Sequence, residues 1–169
     1  QTARSMVTHI AVKLQLDFGV GIIYTTIMNV PKIVIDTNVF ISALRSKRGA
    51  SYLLWSLLDS GQFVPHISVP LVFEYEDVAK RQLKDLTISE QDVDDILDYM
   101  CKVAIHQRIF YLWRPVLKDQ KDDMVLEVAV AANCQFIITF NVRDFVGSEQ
   151  FKVQVVPPKV FLQHIGVIP

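Results

Sequence analysis

The stretch KIVIDTNVFISAL, residues 32–44, decides the fold. Ile33, Val34 and Ile35 form an apolar β-branched run, the signature of a strand buried on both faces. Such strands occur in parallel sheets covered by helices. The run stops at Asp36, and a helical hydrophobic pattern starts at Val39. Asp36 is therefore expected at the carboxyl end of a central strand, where open α/β sheets collect their ligands.

Outward from that strand, helical and extended periods alternate. A helical pattern covers residues 39–44, and another, opened by Gly49 and Ser51, runs to Leu58 and ends near Gly61. A short strand over 62–67 leads to a helix capped by Ser68 with Pro70 in its first turn. The next helix begins at a capping box, Thr87 to Glu90 or Ser89 to Asp92, and runs to about Ala104. An aromatic strand is predicted around 108–113, a helix over 122–134, and strands over 136–139 and 152–156. Pro157 and Pro158 open a final helix. This order predicts an α/β fold with a parallel-stranded central sheet and helices on both faces.

Residues 9–18, HIAVKLQLDF, alternate apolar and polar, and Gly19 and Gly21 precede the β-branched run at 22–27. An extra N-terminal β-hairpin is one reading of residues 1–30. The other takes them as upstream or non-native sequence ahead of a true start at Met28. The domain itself is expected over 31–169.

With 169 residues, 51% of them hydrophobic, the chain has material for one domain with a substantial core. Its 17 basic and 18 acidic residues give a net charge of −1, so no global positive field draws it onto nucleic acid. Any such contact has to be local. The two cysteines, Cys101 and Cys134, lie in apolar helical contexts and read as free thiols of a reducing compartment. No segment offers the ~18 uninterrupted apolar residues of a membrane span. Lys13 and Asp17 interrupt any signal-peptide layout, and the expected location is the cytoplasm. His66, His106 and His164 are scattered and read as structural.

Four polar loci fall at strand ends or helix starts. Asp36 is the first. In the helix after Ser68, Glu74 and Glu76 lie on opposite margins of the apolar stripe, with Asp77 toward solvent, so that either glutamate can lean into a cleft. In KDQKDDMVLEVAVAANC, the run 124–132 is apolar on nearly every side and predicts a helix packed between layers. Asp123 opens it and shares a narrow strip with Glu127, while Asp122 is rotated about 100° away. Finally, TFNVRDF places Thr139, Asn141 and Asp144 beyond another buried strand. Acids brought together in this way repel and desolvate expensively, and divalent metal relieves both costs. Oxygen donors of this kind suit Mg²⁺ or Mn²⁺.

VIDTNVFISAL, SVPLVFEYEDV, KDQKDDMVLEVAVAA and IITFNVRDF, in that order, resemble the PIN domain family, in particular its compact bacterial members often paired with an antitoxin. The resemblance covers about residues 32–165. It implies a three-layer α/β/α fold and a ribonuclease whose acids hold Mg²⁺ or Mn²⁺ for cleavage of RNA. Residue by residue, it implies that Asp36, Glu74 and Asp123 are catalytic and metal-binding, choosing Glu74 where geometry left Glu76 open. At the fourth locus the chain departs from the commonest form. Asn141 stands where many members carry an aspartate and is the expected fourth metal ligand, with Asp144 or Asp122 behind it; Asp144 is counted among the catalytic groups. Thr37, Asn38 and Thr139 are expected to orient carboxylates or phosphate. Arg45, Lys47, Arg48 and Arg143 are expected to flank the opening and grip the RNA.

The expected function is a metal-dependent endoribonuclease for single-stranded RNA, toxin of a toxin–antitoxin pair, acting with an antitoxin protein and as a homo-oligomer. Two alternatives stand beside it. One is a catalytically silent PIN-like module that binds nucleic acid or protein. The other is phosphoryl transfer through an aspartyl phosphate at Asp36, which lacks a second aspartate two residues on.

Overall fold

The computed structural model describes residues 30–110, 117 and 120–169. The predicted N-terminal hairpin lies outside them, as do residues 111–113 of the predicted aromatic strand. At the centre is β1 (Lys32–Ile35), whose Ile33, Val34 and Ile35 have no exposed surface. On one side it pairs with β2 (Val64–Ile67), and beyond that lies the two-residue β3 (Ile105–His106). On the other side it pairs with β4 (Phe136–Ile138), followed by β5 (Gln154–Val156). The five strands are parallel, in the order β3-β2-β1-β4-β5. The predicted parallel α/β sheet is thus the observed one.

Of the aromatic strand expected around 108–113, residues 108–110 carry no strand, and 111–113 lie outside the described residues. The edge strand is Ile105–His106. Aromatic and β-branched content marks a residue that fits a half-buried pleat, and here that pleat is not available. Phe110 is 81% exposed.

Among the described residues, six α-helices cover the sheet. α1 (Thr37–Arg45) leaves β1 directly, with Asp36 at its N-cap position, and α2 (Ala50–Ser56) follows it. α3 (Val69–Arg81) starts after Ser68 with Pro70 in its first turn and buries Leu71, Tyr75 and Ala79, residues spaced one turn apart on one face. α4 (Glu90–Val103) opens with the Ser89–Asp92 capping box, in which each residue's side chain accepts from the other's backbone N–H. α5 (Gln120–Ala132) packs on β1, β2 and β4, and α6 (Pro158–His164) closes the chain. Asn133, left-handed at φ 50°, ends α5 and turns the chain toward β4.

The rings of Phe40, Trp55 and Tyr75 join α1, α2 and α3, with centroids 4.7 Å apart for Phe40–Trp55 and 5.1 Å for Phe40–Tyr75. From this buried cluster the Tyr75 hydroxyl donates to the Ile35 carbonyl, the last of β1, and so fixes α3 against the strand end that carries Asp36. Lys80 near the end of α3 meets Glu76 at 2.8 Å and, on α4, Asp94 at 3.0 Å and Glu90 at 3.1 Å. Among the described residues no helix is long and apolar enough to cross a membrane.

Candidate active site

The sheet order reverses between β1 and β4, because the chain moves outward from β1 through β2 and β3 and then returns to the other side of β1. Connections leaving the two strands diverge there, and a crevice opens at their carboxyl ends. Asp36 ends β1 and Thr139 ends β4, which makes them neighbours across that crevice. The backbone ties the gap, since Asp36 N–H donates to the Ile138 carbonyl at 2.9 Å.

Side chains tie it further. Asp36 Oδ2 accepts hydrogen bonds from Thr139 Oγ1 at 2.6 Å and from Asn38 Nδ2 at 2.7 Å. Thr139 Oγ1 itself accepts from Asn38 Nδ2 at 3.0 Å and from the Asn141 N–H at 2.9 Å, and Asn38 Oδ1 accepts from the Phe140 N–H at 3.2 Å. One carboxylate oxygen is thereby held by two donors in a fixed orientation. Burial raises the Asp36 pKa above its ordinary value; the Thr139 bond and the Thr37 and Asn38 backbone N–H groups oppose this, and the negative charge of Asp144 adds to it.

A cleft of about 320 Å³ opens beside Asp36, lined also by Thr37, Asn38, Glu74, Asp122 and Asn141, with Arg45, Gln82 and Lys121 among the remaining wall residues. Three separate elements therefore deliver an acid to it: the β1–α1 junction, α3 and α5. Glu74 rather than Glu76 faces the cleft, because Glu76 lies on the other margin of α3 and is paired with Lys80. Glu74 Oε1 lies 3.6 Å from Lys121 Nζ. Arg45 Nη2 donates to Gln82 Oε1 at 2.5 Å, which spans the cleft wall from α1 to the end of α3.

Several expected site residues stand elsewhere. Asp123 is 1% exposed, is not part of the cleft lining, and its Oδ1 accepts from the Leu117 N–H at 3.0 Å. The acid that α5 presents to the cleft is Asp122. The shared strip of Asp123 and Glu127 is the core-facing strip, for Glu127 is buried as well, and the residue rotated from it reaches the rim. That rotation was the available signal. Thr139 has no exposed surface and cannot touch substrate, so its expected contact with phosphate gives way to its bond with Asp36. Arg48, Arg143 and Asp144 are exposed and outside the cleft lining, although Asp144 acts on Asp36 through its charge. Gln82 and Lys121 were not anticipated as cleft residues; Lys121 was visible only as part of a helix start.

The oxygens of Asp36, Glu74, Asp122 and Asn141 are hard donors, and in kind they fit Mg²⁺ or Mn²⁺. Among the described residues no three His, Cys, Asp or Glu side chains are already drawn together as a metal cage.

Comparison with known proteins places this geometry in context. The family model for the PIN domain matches residues 32–143. Among solved structures, the chain is similar to the crystal structure of VapBC2 from Rickettsia felis bound to a DNA fragment from their promoter. The TM-score is 0.51 at 13% identity, covering 73% of this chain and 96% of that one. At that identity the likeness concerns the fold. Curated protein sequences gave no match. With the match spanning β1 through the Asn141 region, and the acids of that span lining one crevice at the sheet's switch point, the chain belongs to the PIN domain family.

Proposed function

We propose that this protein is a divalent-metal-dependent endoribonuclease acting on single-stranded RNA. The observation that carries this reading is the delivery of Asp36, Glu74 and Asp122 to one cleft from three elements of a PIN fold, a family whose members are generally nucleases. Asp36, Glu74 and Asp122, with the amide oxygen of Asn141, are the residues that would hold Mg²⁺ or Mn²⁺. A bound ion supplies Lewis-acid polarisation of the phosphate and of the attacking water.

The chain's own residues have separable tasks. Thr139 and Asn38 hold Asp36 in one orientation, so the carboxylate does not have to be reorganised when substrate arrives. Glu74, which also lines the cleft, would accept a proton from a water there. Arg45, braced by Gln82, presents a cation at the rim to a backbone phosphate. A cleft of this size admits a bent single strand more readily than a stiff duplex.

We further propose a toxin role with an antitoxin partner, acting in the cytoplasm. Support comes from the fold it shares with VapBC2. The expected self-association rested on residues 10–18, which lie outside the described residues.

The test is cleavage of a mixed single-stranded RNA pool with Mn²⁺, using wild type, Asp36→Asn and Asp122→Asn, each with and without chelator. Cleavage by wild type alone, abolished by chelation, is the expected result. Equal cleavage by all three would overturn the assignment, and no cleavage by any would favour the catalytically silent binding module.

A further inference from the structure

Lys121 occupies an unusual place for a lysine. It lies in the first turn of α5, where the helix dipole disfavours a cation, and its side chain is 62% exposed. Yet it lines the acidic cleft, with Nζ 3.6 Å from Oε1 of Glu74, whose side chain is only 18% exposed. Asp36 and Asp122 line the same space, so the ammonium offsets charge in a cleft lined by three carboxylates. A lysine carries its charge on a flexible four-carbon stem and can change partner without moving the backbone.

We propose that Lys121 is a two-position cation: counter-ion to Glu74 while the cleft is empty, and ligand to an RNA backbone phosphate once substrate enters. This rests on the nuclease reading and adds regulation to it. Where Glu74 holds a divalent ion, the ion would compete with the ammonium, and Lys121 would turn toward the phosphate and add its grip to that of Arg45. Lys121 is therefore a substrate-binding residue whose availability depends on Glu74.

The experiment compares wild type, Lys121→Gln and Lys121→Arg by calorimetric titration with Mn²⁺ alone, and by steady-state cleavage of a single-stranded RNA oligonucleotide over a range of salt concentrations. Lys121→Gln is expected to bind Mn²⁺ about two- to five-fold more tightly, since a surface ion pair no longer competes. Its KM should rise while kcat stays within about two-fold, and its salt slope should fall by about 0.7, the loss of one phosphate contact on a single strand. Lys121→Arg should restore KM and the slope. A Lys121→Gln protein with wild-type Mn²⁺ affinity, KM and slope, in an assay where wild type cleaves, overturns the role of Lys121 alone. A wild type that neither binds Mn²⁺ nor cleaves RNA overturns the nuclease reading and this proposal together.

Discussion

Thr139 Oγ1 donates a 2.6 Å hydrogen bond to Asp36 Oδ2, joining residues 103 positions apart at the ends of adjacent strands. Thr139 is fully buried and Asp36 nearly so, which makes the bond a charge-assisted one shielded from water. Replacing Thr139 by Val keeps the shape and removes the donor. Thr139→Val should lose about 1–3 kcal/mol of stability in urea titrations, and Thr139→Ser should recover most of it. RNA cleavage should fall in kcat with Val and return with Ser. A Val variant as stable and active as wild type would mean that Asn38 alone positions the carboxylate.

Asp36 carries the cost of a buried charge, visible in its raised pKa. Asp36→Asn removes that charge, and the new amide oxygen can still accept from Thr139 and Asn38. In chelator the variant should melt at or above the wild-type temperature, where about 2–4 °C corresponds to about 1 kcal/mol for a chain of this size. With Mn²⁺ added, wild type should gain thermal stability and the variant should gain far less. A large loss of stability in chelator would contradict the assignment of Asp36 as a destabilising, functional acid.

Asp122 and Asp123 are adjacent in sequence and differently placed: Asp122 lines the cleft and Asp123 is buried. Asp123→Ala leaves the buried Leu117 N–H without its acceptor and should cost about 1–3 kcal/mol by chemical denaturation. Asp122→Asn should affect stability less and abolish the Mn²⁺-induced thermal shift. The reverse pattern, with the Mn²⁺ response lost on Asp123→Asn and kept on Asp122→Asn, would return the metal-binding role to Asp123.

His66 is buried in β2, and its Nδ1 accepts from Gln107 Nε2 at 2.9 Å. Burial, then the charge of Lys32, lowers its pKa below the ordinary 6.5. The unfolded chain therefore takes up a proton near pH 6.5, while the folded protein takes it up only at lower pH. Between those values the unfolded state binds more protons, and stability falls as pH drops through 6.5. Urea midpoints at pH 7.5 and 5.5 should show that loss in wild type and a smaller one in His66→Gln. Equal losses would assign the acid sensitivity to other groups.

What could be read from sequence follows from the range of the forces involved. The run Ile33–Ile35 followed by Asp36 specified a buried strand and a site-facing acid through local pattern alone. The capping box was narrowed to Thr87–Glu90 or Ser89–Asp92, and the helix margins offered Glu74 and Glu76 alike. The choice between Asp122 and Asp123 needed the rotation of α5 about its axis, which depends on what the helix packs against. Thr139 read as a polar group at a strand end, and only the pairing of β4 beside β1 shows that it is sealed against Asp36. The strand at Ile105–His106 was missed for the same reason, since pairing with His66 and Ile67 decides where extended chain is kept.

The alignment of Ile35 with Ile138 sets the spacing of Asp36 and Thr139. Strands tolerate sliding poorly, because a one-position offset sends every side chain to the opposite face. Adding a single residue within β4 would leave every acid in the chain intact while carrying Thr139 out of reach of Asp36. Loss of activity through such a shift would come from mis-set alignment with no chemical group removed.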